Sequence, residues 1–184
     1  MSAPLNGKKI AFLATNGVEQ IELTRPWKDL QGAGAELHLI SLKEGEIQGY
    51  HHLDKAHTFP VDKTAANTDA NDYDALILPG GVANPDALRT DEAAVSLIKQ
   101  FCNKHKLVAA ICHAPWTLIE ADKVRGRTLT SFPSLKTDIQ NAGGTWVDEP
   151  VHNDNGLITS RVPDDLDDFC AAIIEALSPA GYSG

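Results

Sequence analysis

Short, uninterrupted apolar runs recur along this chain, and they restrict its fold more than any other feature. The clearest runs lie at residues 10–14, 37–41, 75–78 and 107–111. Amphipathic stretches with helical spacing of apolar residues separate most of these runs. Continuous apolar runs are typical of strands covered on both faces, and strands that alternate with helices form mostly parallel sheets. The sequence therefore predicts an α/β fold, a mostly parallel sheet sandwiched by helices.

The length and charge of the chain limit its organisation and its partners. Its 184 residues contain no 20–50-residue repeat and no low-complexity linker, so we expect one domain over residues 1–184. The formal net charge of −9 argues against nucleic acid as a stable partner and against an anionic membrane surface. No apolar stretch approaches the ~20 residues of a membrane-spanning helix, so we expect no membrane insertion.

The compartment is predicted from the N-terminus and the cysteines. The first residues lack the apolar core of a secretory signal. The three cysteines, Cys102, Cys112 and Cys170, are odd in number and have no framework spacing. Both features favour free thiols in a reducing compartment, and we expect a cytoplasmic protein.

Helices and a hairpin are predicted between and after the strands. Helical patterns cover residues 19–32, 91–103, 115–121, 134–142 and 164–177. Pro26 is expected near the first turn of its helix or at a kink. Residues 147–151 and 157–160 are predicted to pair around an Asn-Gly turn. Residues 44–70 have no clear pattern, although 58–61 resemble a strand.

Polar turns follow three of the strands, and ligands of such sheets bind beyond the strands' carboxyl ends. Cys112 follows the apolar run 107–111 and precedes a predicted helix, whose N-terminus favours a thiolate. We therefore expect it to be a nucleophile, and His113 beside it to be its base. Cys102 and Cys170 lie on apolar helical stripes, where we expect inert core residues.

Several other residues leave two interpretations open. Glu19 and Glu22 lie three apart, so one helical face could carry both towards a thiol, or they could merely complement a helix N-terminus. Arg161 could bind an anionic substrate group or pair with Asp164 or Asp165.

Three histidines that lie close together in sequence could suggest a metal site: His51, His52 and His57. No cysteine or acidic residue accompanies them at the spacing of a metal site, so we expect no metal and no cofactor.

Several sequence strings resemble the PfpI family of intracellular proteases and protein deglycases, within the class I glutamine amidotransferase-like superfamily. They are NGVEQIEL at 16–23, PGG at 79–81, AICHAP at 110–115, NAGGTWVDE at 141–149 and TSRVPDDL at 159–166. The similarity runs from about Lys9 to Leu177. It implies a flavodoxin-like version of the predicted sheet.

The resemblance also implies roles for individual residues. Cys112 matches the nucleophile, His113 its neighbouring histidine, and Glu22 the buried acid that approaches the sulfur. Gly80 and Gly81 match a turn whose N–H groups would bind an oxyanion.

Two further site residues complete the expected set. Ala114, the small residue after the histidine, joins the candidates for oxyanion and substrate binding. Asp86 matches an acid that orients the histidine from a neighbouring subunit, and its alternative is a surface cap near Pro85. The resemblance therefore implies a homo-oligomer, a dimer or a hexamer.

The predicted function is a cysteine-dependent hydrolase in stress protection. Its substrate would be a small carbonyl adduct derived from methylglyoxal or glyoxal, as for a deglycase or glyoxalase, or a peptide. The alternative is a redox or stress sensor that works through oxidation of Cys112 with little turnover. A glutamine amidotransferase domain is disfavoured, because that class usually places its histidine far downstream of the cysteine.

Overall fold

Residues 2–179 are described in the computed structural model of the chain. Its strands, in chain order, are β1 (Lys9–Leu13), β2 (Val18–Glu19), β3 (Glu36–Ser41), β4 (Glu46–His51), β5 (Asp54–Pro60), β6 (Lys63–Thr64), β7 (Ala75–Leu78), β8 (Leu107–Ile111), β9 (Thr128–Leu129), β10 (Thr145–Trp146), β11 (Val151–Asp154) and β12 (Leu157–Ser160). The α-helices are α1 (Gln20–Gly32), α2 (Ala83–Leu88), α3 (Glu92–Asn103), α4 (Pro115–Glu120), α5 (Lys136–Asn141) and α6 (Leu166–Leu177).

Seven strands form the central sheet, in the order β11-β12-β8-β7-β1-β3-β6. Every neighbouring pair is parallel except β11 with β12, at one edge. All five residues of β8 are buried, as expected for a central strand covered on both faces. The predicted fold class, a mostly parallel sheet flanked by helices, is confirmed.

Alternation along β1 shows how the sheet divides the core. Ala11 and Leu13 join the apolar cluster that contains residues of α3, α4 and α5. Ile10 and Phe12 join the cluster on the other side, which contains residues of α1 and α6. Successive strand side chains point to opposite faces, so one apolar run serves two cores.

Each of the five predicted helices forms, but some differ from the prediction in their bounds or in the position of proline. Pro26 lies inside α1 and is buried, rather than in the first turn. The helix predicted over 134–142 begins with a 3₁₀ turn at Pro133–Leu135 and becomes α-helical at Lys136–Asn141. The six-residue α2 was not predicted, because it is too short for a periodic signal.

Two hairpins refine the prediction. Residues 44–70, which have no clear sequence pattern, contain β4 and β5, an antiparallel pair that joins β2 in a small sheet. The strand predicted at 58–61 overlaps the end of β5. The late hairpin forms, but its first strand is Val151–Asp154 rather than 147–151. Asn155 and Gly156 form its two-residue turn, with φ of 47° and 89°. Those left-handed angles suit the tight hairpin turn that places the strand directly before Asn155.

None of the helices in residues 2–179 combines the length and the apolarity needed to cross a membrane.

Candidate active site

Cys112 occupies a strained turn between β8 and α4. Its φ of +66° is left-handed, a conformation rarely adopted by residues other than glycine. Two long-range bonds hold the turn: Cys112 N–H donates to the Ser160 carbonyl (3.1 Å), and Phe132 N–H donates to the Cys112 carbonyl (2.8 Å). Such strain persists only where surrounding structure imposes it, and it occurs preferentially at functional sites.

His113 lies against the sulfur in an aromatic environment. Its Nδ1 is 3.1 Å from Cys112 Sγ, and its Nε2 is 3.3 Å from Ser134 Oγ. The ring stacks on Phe132 at 4.5 Å and meets the Trp116 ring edge-on at 5.1 Å. Burial lowers the pKa of His113, so the imidazole is neutral at neutral pH and able to accept a proton.

Glu22 is a fully buried acid beside the thiol. Its Oε1 accepts a hydrogen bond from Gly80 N–H at 3.0 Å, whereas Oε2 is buried without a hydrogen-bond partner in residues 2–179. Burial, and secondarily the charge of Glu19, raises the pKa of Glu22 to about 8. The carboxyl group is therefore mostly protonated at neutral pH, and it interacts with the Cys112 thiol.

The thiol does not have the lowered pKa expected at a helix N-terminus. Burial raises the pKa of Cys112, and the negative charge of Glu22 raises it further. The backbone N–H groups of Gly81 and His113 lower the pKa of the thiol, with a smaller effect. Because the two acids repel when both are charged, a thiolate at Cys112 is compatible only with a protonated Glu22.

The N–H groups near the sulfur divide into occupied and available donors. Gly80 N–H is bonded to Glu22, and Ala114 N–H donates to the Ile111 carbonyl at 3.1 Å. Both were expected to serve an oxyanion, and both are already used. The backbone N–H groups of Gly81 and His113 lie near enough to the sulfur to lower the pKa of its thiol, which makes this pair the candidate oxyanion donors.

A cavity of about 810 Å³ opens over the thiol. Six of the predicted site residues line it: Glu19, Glu22, Gly81, Asp86, Cys112 and His113.

Asp86 does not contact His113 within the chain. Its side chain is 57% exposed and is bonded to Arg89 at 2.6 Å. Arg161 does not line the cavity: its guanidinium binds Asp165 at 2.9 Å and Asp148 at 2.8 Å. Of the two interpretations of Arg161, pairing with a nearby carboxylate is therefore the one that the structure supports.

His52 and His57 have separate hydrogen-bond partners. His52 N–H donates to the Glu19 carboxylate at 3.1 Å, and His57 Nδ1 lies 2.8 Å from Gln20 Nε2. Within residues 2–179 no three His, Cys, Asp or Glu side chains are grouped as a metal site.

The other two cysteines differ in burial. Cys170 is buried as expected, and burial raises its pKa to about 12. Cys102 is only half-buried, although burial raises its pKa as well.

Two site residues were missed by sequence reasoning. Asn84 is fully buried; its Oδ1 accepts from Thr15 N–H at 2.7 Å, and its Nδ2 donates to the Pro79 and Gly80 carbonyls at 3.0 Å. It ties the turn after β1 to the turn after β7, and a polar residue so soon after Gly-Gly could have signalled it. Ser134, the partner of His113 Nε2, had no signal, because the contact depends on how distant loops meet.

Comparison with known proteins identifies relatives that match most of the chain. The chain is 41% identical over 158 residues to Deglycase PH1704 of Pyrococcus horikoshii, covering 86% of this chain and 92% of that protein. It is 40% identical over 163 residues to YraA of Bacillus subtilis, whose name assigns it provisionally to the cysteine proteases; coverage is 88% and 94%.

Solved structures show the same fold. A two-domain Anabaena variabilis protein with a DJ-1/ThiJ/PfpI-like and a ferritin-like domain superimposes with a TM-score of 0.89 and 35% identity; 95% of this chain matches 49% of that protein. Drosophila melanogaster DJ-1beta gives a TM-score of 0.85 and 28% identity, covering 93% and 90% of the two chains. The DJ-1/PfpI family model matches residues 8–176, and the chain belongs to the DJ-1/PfpI family.

Proposed function

We propose that the protein is a cysteine-dependent hydrolase that acts on small carbonyl adducts, as a deglycase or a glyoxalase-like enzyme does. The observation that carries this proposal is the grouping around Cys112. A neutral imidazole lies 3.1 Å from Sγ, and a buried acid with a pKa of about 8 lies beside the thiol. Two backbone N–H groups face the same sulfur. This combination of base, acid and oxyanion donors suits attack on a carbonyl carbon.

The first chemical step follows from these positions. The thiol proton of Cys112 passes to Nδ1 of His113, the S–C bond forms, and the carbonyl π electrons move onto oxygen. The resulting oxyanion accepts hydrogen bonds from the N–H groups of Gly81 and His113. Glu22 keeps its own proton during this step, because an ionised carboxylate would oppose the thiolate.

The dimensions of the cavity favour small substrates. A volume of about 810 Å³ holds an adduct on one side chain more readily than an extended peptide. The name of the Pyrococcus horikoshii relative, a deglycase, points to the same substrate class. Peptides remain the second substrate class, in keeping with the name of the Bacillus subtilis relative.

Parallel assays test the activity. Wild-type protein and Cys112→Ser are incubated with methylglyoxal, with glycated amino acids and with a fluorogenic peptide. Cys102→Ser, a change at a half-buried thiol outside the cavity, is the matched control. Turnover that is lost in Cys112→Ser and kept in Cys102→Ser supports the proposal. Absence of turnover on all three substrates, or turnover that survives Cys112→Ser, contradicts it.

The reactivity of the three thiols gives a separate test. We expect limiting iodoacetamide to label Cys112 before Cys102 and Cys170, because Cys112 lines the cavity and His113 Nδ1, 3.1 Å from its sulfur, can accept the thiol proton. Mass spectrometry of the labelled peptides measures the order. Preferential labelling of half-buried Cys102 would show that exposure, rather than the site, governs reactivity.

A redox sensor is the second candidate. Protonated Glu22 beside the sulfur could donate a hydrogen bond to an oxygen of oxidised Cys112, which favours a defined oxidation product. Graded peroxide treatment with intact-mass measurement tests this candidate. A single oxidised form at Cys112 in a protein without turnover would favour the sensor over the enzyme.

The proposed active form is a homo-oligomer, a dimer or a hexamer, in which Asp86 acts on His113 of a neighbouring subunit. Asp86 supports this by lining the cavity while remaining 57% exposed. Mixed oligomers of Cys112→Ser and Asp86→Ala chains should then regain activity, because some sites combine an intact Cys112 with an intact Asp86. A fully active monomer in sedimentation, or no recovery despite proven subunit mixing, contradicts this arrangement.

The remaining parts of the proposal concern the setting. We infer one domain over residues 1–184, a cytoplasmic location, and catalysis without a metal or an organic cofactor. The formal charge of −9 supports the absence of a stable nucleic-acid partner. Fractionation of cell extracts, followed by metal analysis of the active protein, tests the location and the metal independence.

A further inference from the structure

The charged side chains around the cavity are unevenly distributed. Three carboxyl groups line it, those of Glu19, Glu22 and Asp86, together with the imidazoles of His52 and His113. No lysine or arginine is among the lining residues in the described part of the chain. A substrate that enters the cavity therefore meets acidic groups without a fixed cation to receive an anionic substituent.

Glu19 and Asp86 both line the cavity, but among the residues that the structure describes only one of them has a positively charged partner. Asp86 forms an ion pair with Arg89 at 2.6 Å, so its charge is largely balanced. Glu19 has no ion-pair partner in residues 2–179, and it accepts only the backbone N–H of His52, at 3.1 and 3.3 Å. Glu19 therefore contributes the uncompensated negative charge at this site.

That charge acts at the reacting groups. Glu19 lies one helical turn before Glu22 in sequence, and its negative charge contributes to the raised pKa of Glu22. Glu22 interacts with the Cys112 thiol and lines the same cavity as Glu19. A charge that influences Glu22 also influences an electrophile bound over Cys112, since both line the same cavity.

We propose that Glu19 selects substrates of this site by charge, favouring electrophiles that carry a positive charge, or none, over those that carry a carboxylate. The choice of electrophile rests on the proposed function, whereas the charge selection is a property of the cavity.

Charge-matched thiol reagents test the selection without requiring turnover. Methanethiosulfonates with trimethylammonioethyl, hydroxyethyl and sulfonatoethyl groups each form a disulfide with Cys112 and release methanesulfinate. Labelling is followed by mass spectrometry of the Cys112 peptide at pH 7.5, above the ordinary histidine pKa of about 6.5. Each rate is divided by the rate with 2-mercaptoethanol, which removes intrinsic differences between the reagents.

The expected result is a cation-to-anion rate ratio on the order of ten at low ionic strength, falling towards one as salt screens the charge. Glu19→Gln keeps an oxygen for His52 N–H and should lower the ratio several-fold. Glu175→Gln, an exposed change on α6, should leave it as in wild type. Because a changed thiolate fraction affects all reagents equally, the ratio isolates the effect of charge on approach.

Two outcomes overturn the inference: a wild-type ratio near one, or a ratio in Glu19→Gln equal to that of wild type with the fold intact by circular dichroism. Turnover of methylglyoxal against 4,5-dioxopentanoate, a 2-oxoaldehyde that carries a carboxylate, extends the test to catalysis. Wild type should prefer methylglyoxal, and Glu19→Gln should narrow that preference. If neither compound is turned over, the glyoxalase-like form of the proposed function fails, while the labelling ratio still decides the charge selection.

Discussion

Replacing Glu22 with Gln should remove a pH dependence of stability that the buried carboxyl creates. The pKa of Glu22 rises from an ordinary 4.5 to about 8 on folding, chiefly through burial. The folded state therefore binds a proton that the unfolded chain releases between these two values. The contribution of this proton to the free energy of unfolding is fully present below pH 4.5, decreases as the pH rises towards 8, and changes little above that.

The magnitude follows from the two values. An interval from 4.5 to about 8, at about 1.4 kcal/mol per pH unit, corresponds to roughly 5 kcal/mol. Between pH 5 and pH 9 the expected loss is about 4 kcal/mol, because part of the titration lies below pH 5. Glutamine has nearly the same shape as the protonated acid and does not titrate. The free energy of unfolding of Glu22→Gln should therefore rise relative to that of wild type by this amount as the pH goes from 5 to 9.

Chemical denaturation at fixed protein concentration, followed by tryptophan fluorescence at one-unit pH steps, measures this difference. Other titrating groups cancel when the two curves are subtracted. Glu175→Gln, at an exposed position, should run parallel to wild type throughout. If the free energies of unfolding of wild type and Glu22→Gln change between pH 5 and pH 9 by the same amount, to within about 1 kcal/mol, a buried, protonated Glu22 is refuted.

Two further substitutions probe the packing and the base. Gly80→Ala should lower the free energy of unfolding by about 1–3 kcal/mol and suppress thiol reactivity, because a Cβ there would lie 2.7 Å from Cys112 Cβ. Thermal denaturation measures the change in stability. Gly32→Ala is the control, because a Cβ at Gly32 would meet open space. Ser134→Ala removes the partner of His113 Nε2 and should shift the pH profile of Cys112 alkylation. An unchanged profile would mean that Ser134 does not orient the imidazole.

Much of the fold was determined by local pattern. Runs such as Ala75–Leu78 and Leu107–Ile111 are apolar at every position, as expected for a strand covered on both faces, and both are fully buried. The position of Cys112 at a strand end followed from the same reasoning. The limits of local pattern show in α2, whose six residues are too few for periodicity, and in the start of β11, which the Asn155-Gly156 turn sets.

The working details of the site were decided by tertiary structure. Glu22 bonds to Gly80 across 58 positions, and His113 meets Ser134 across 21. No local pattern encodes such contacts, because they depend on which strands are neighbours and where each strand ends. Burial has the same origin: Glu22 has a raised pKa only because the folded chain removes water from around it. The sequence alone singled out the residues that we propose carry the chemistry, while the packing of distant segments determined their protonation and their partners.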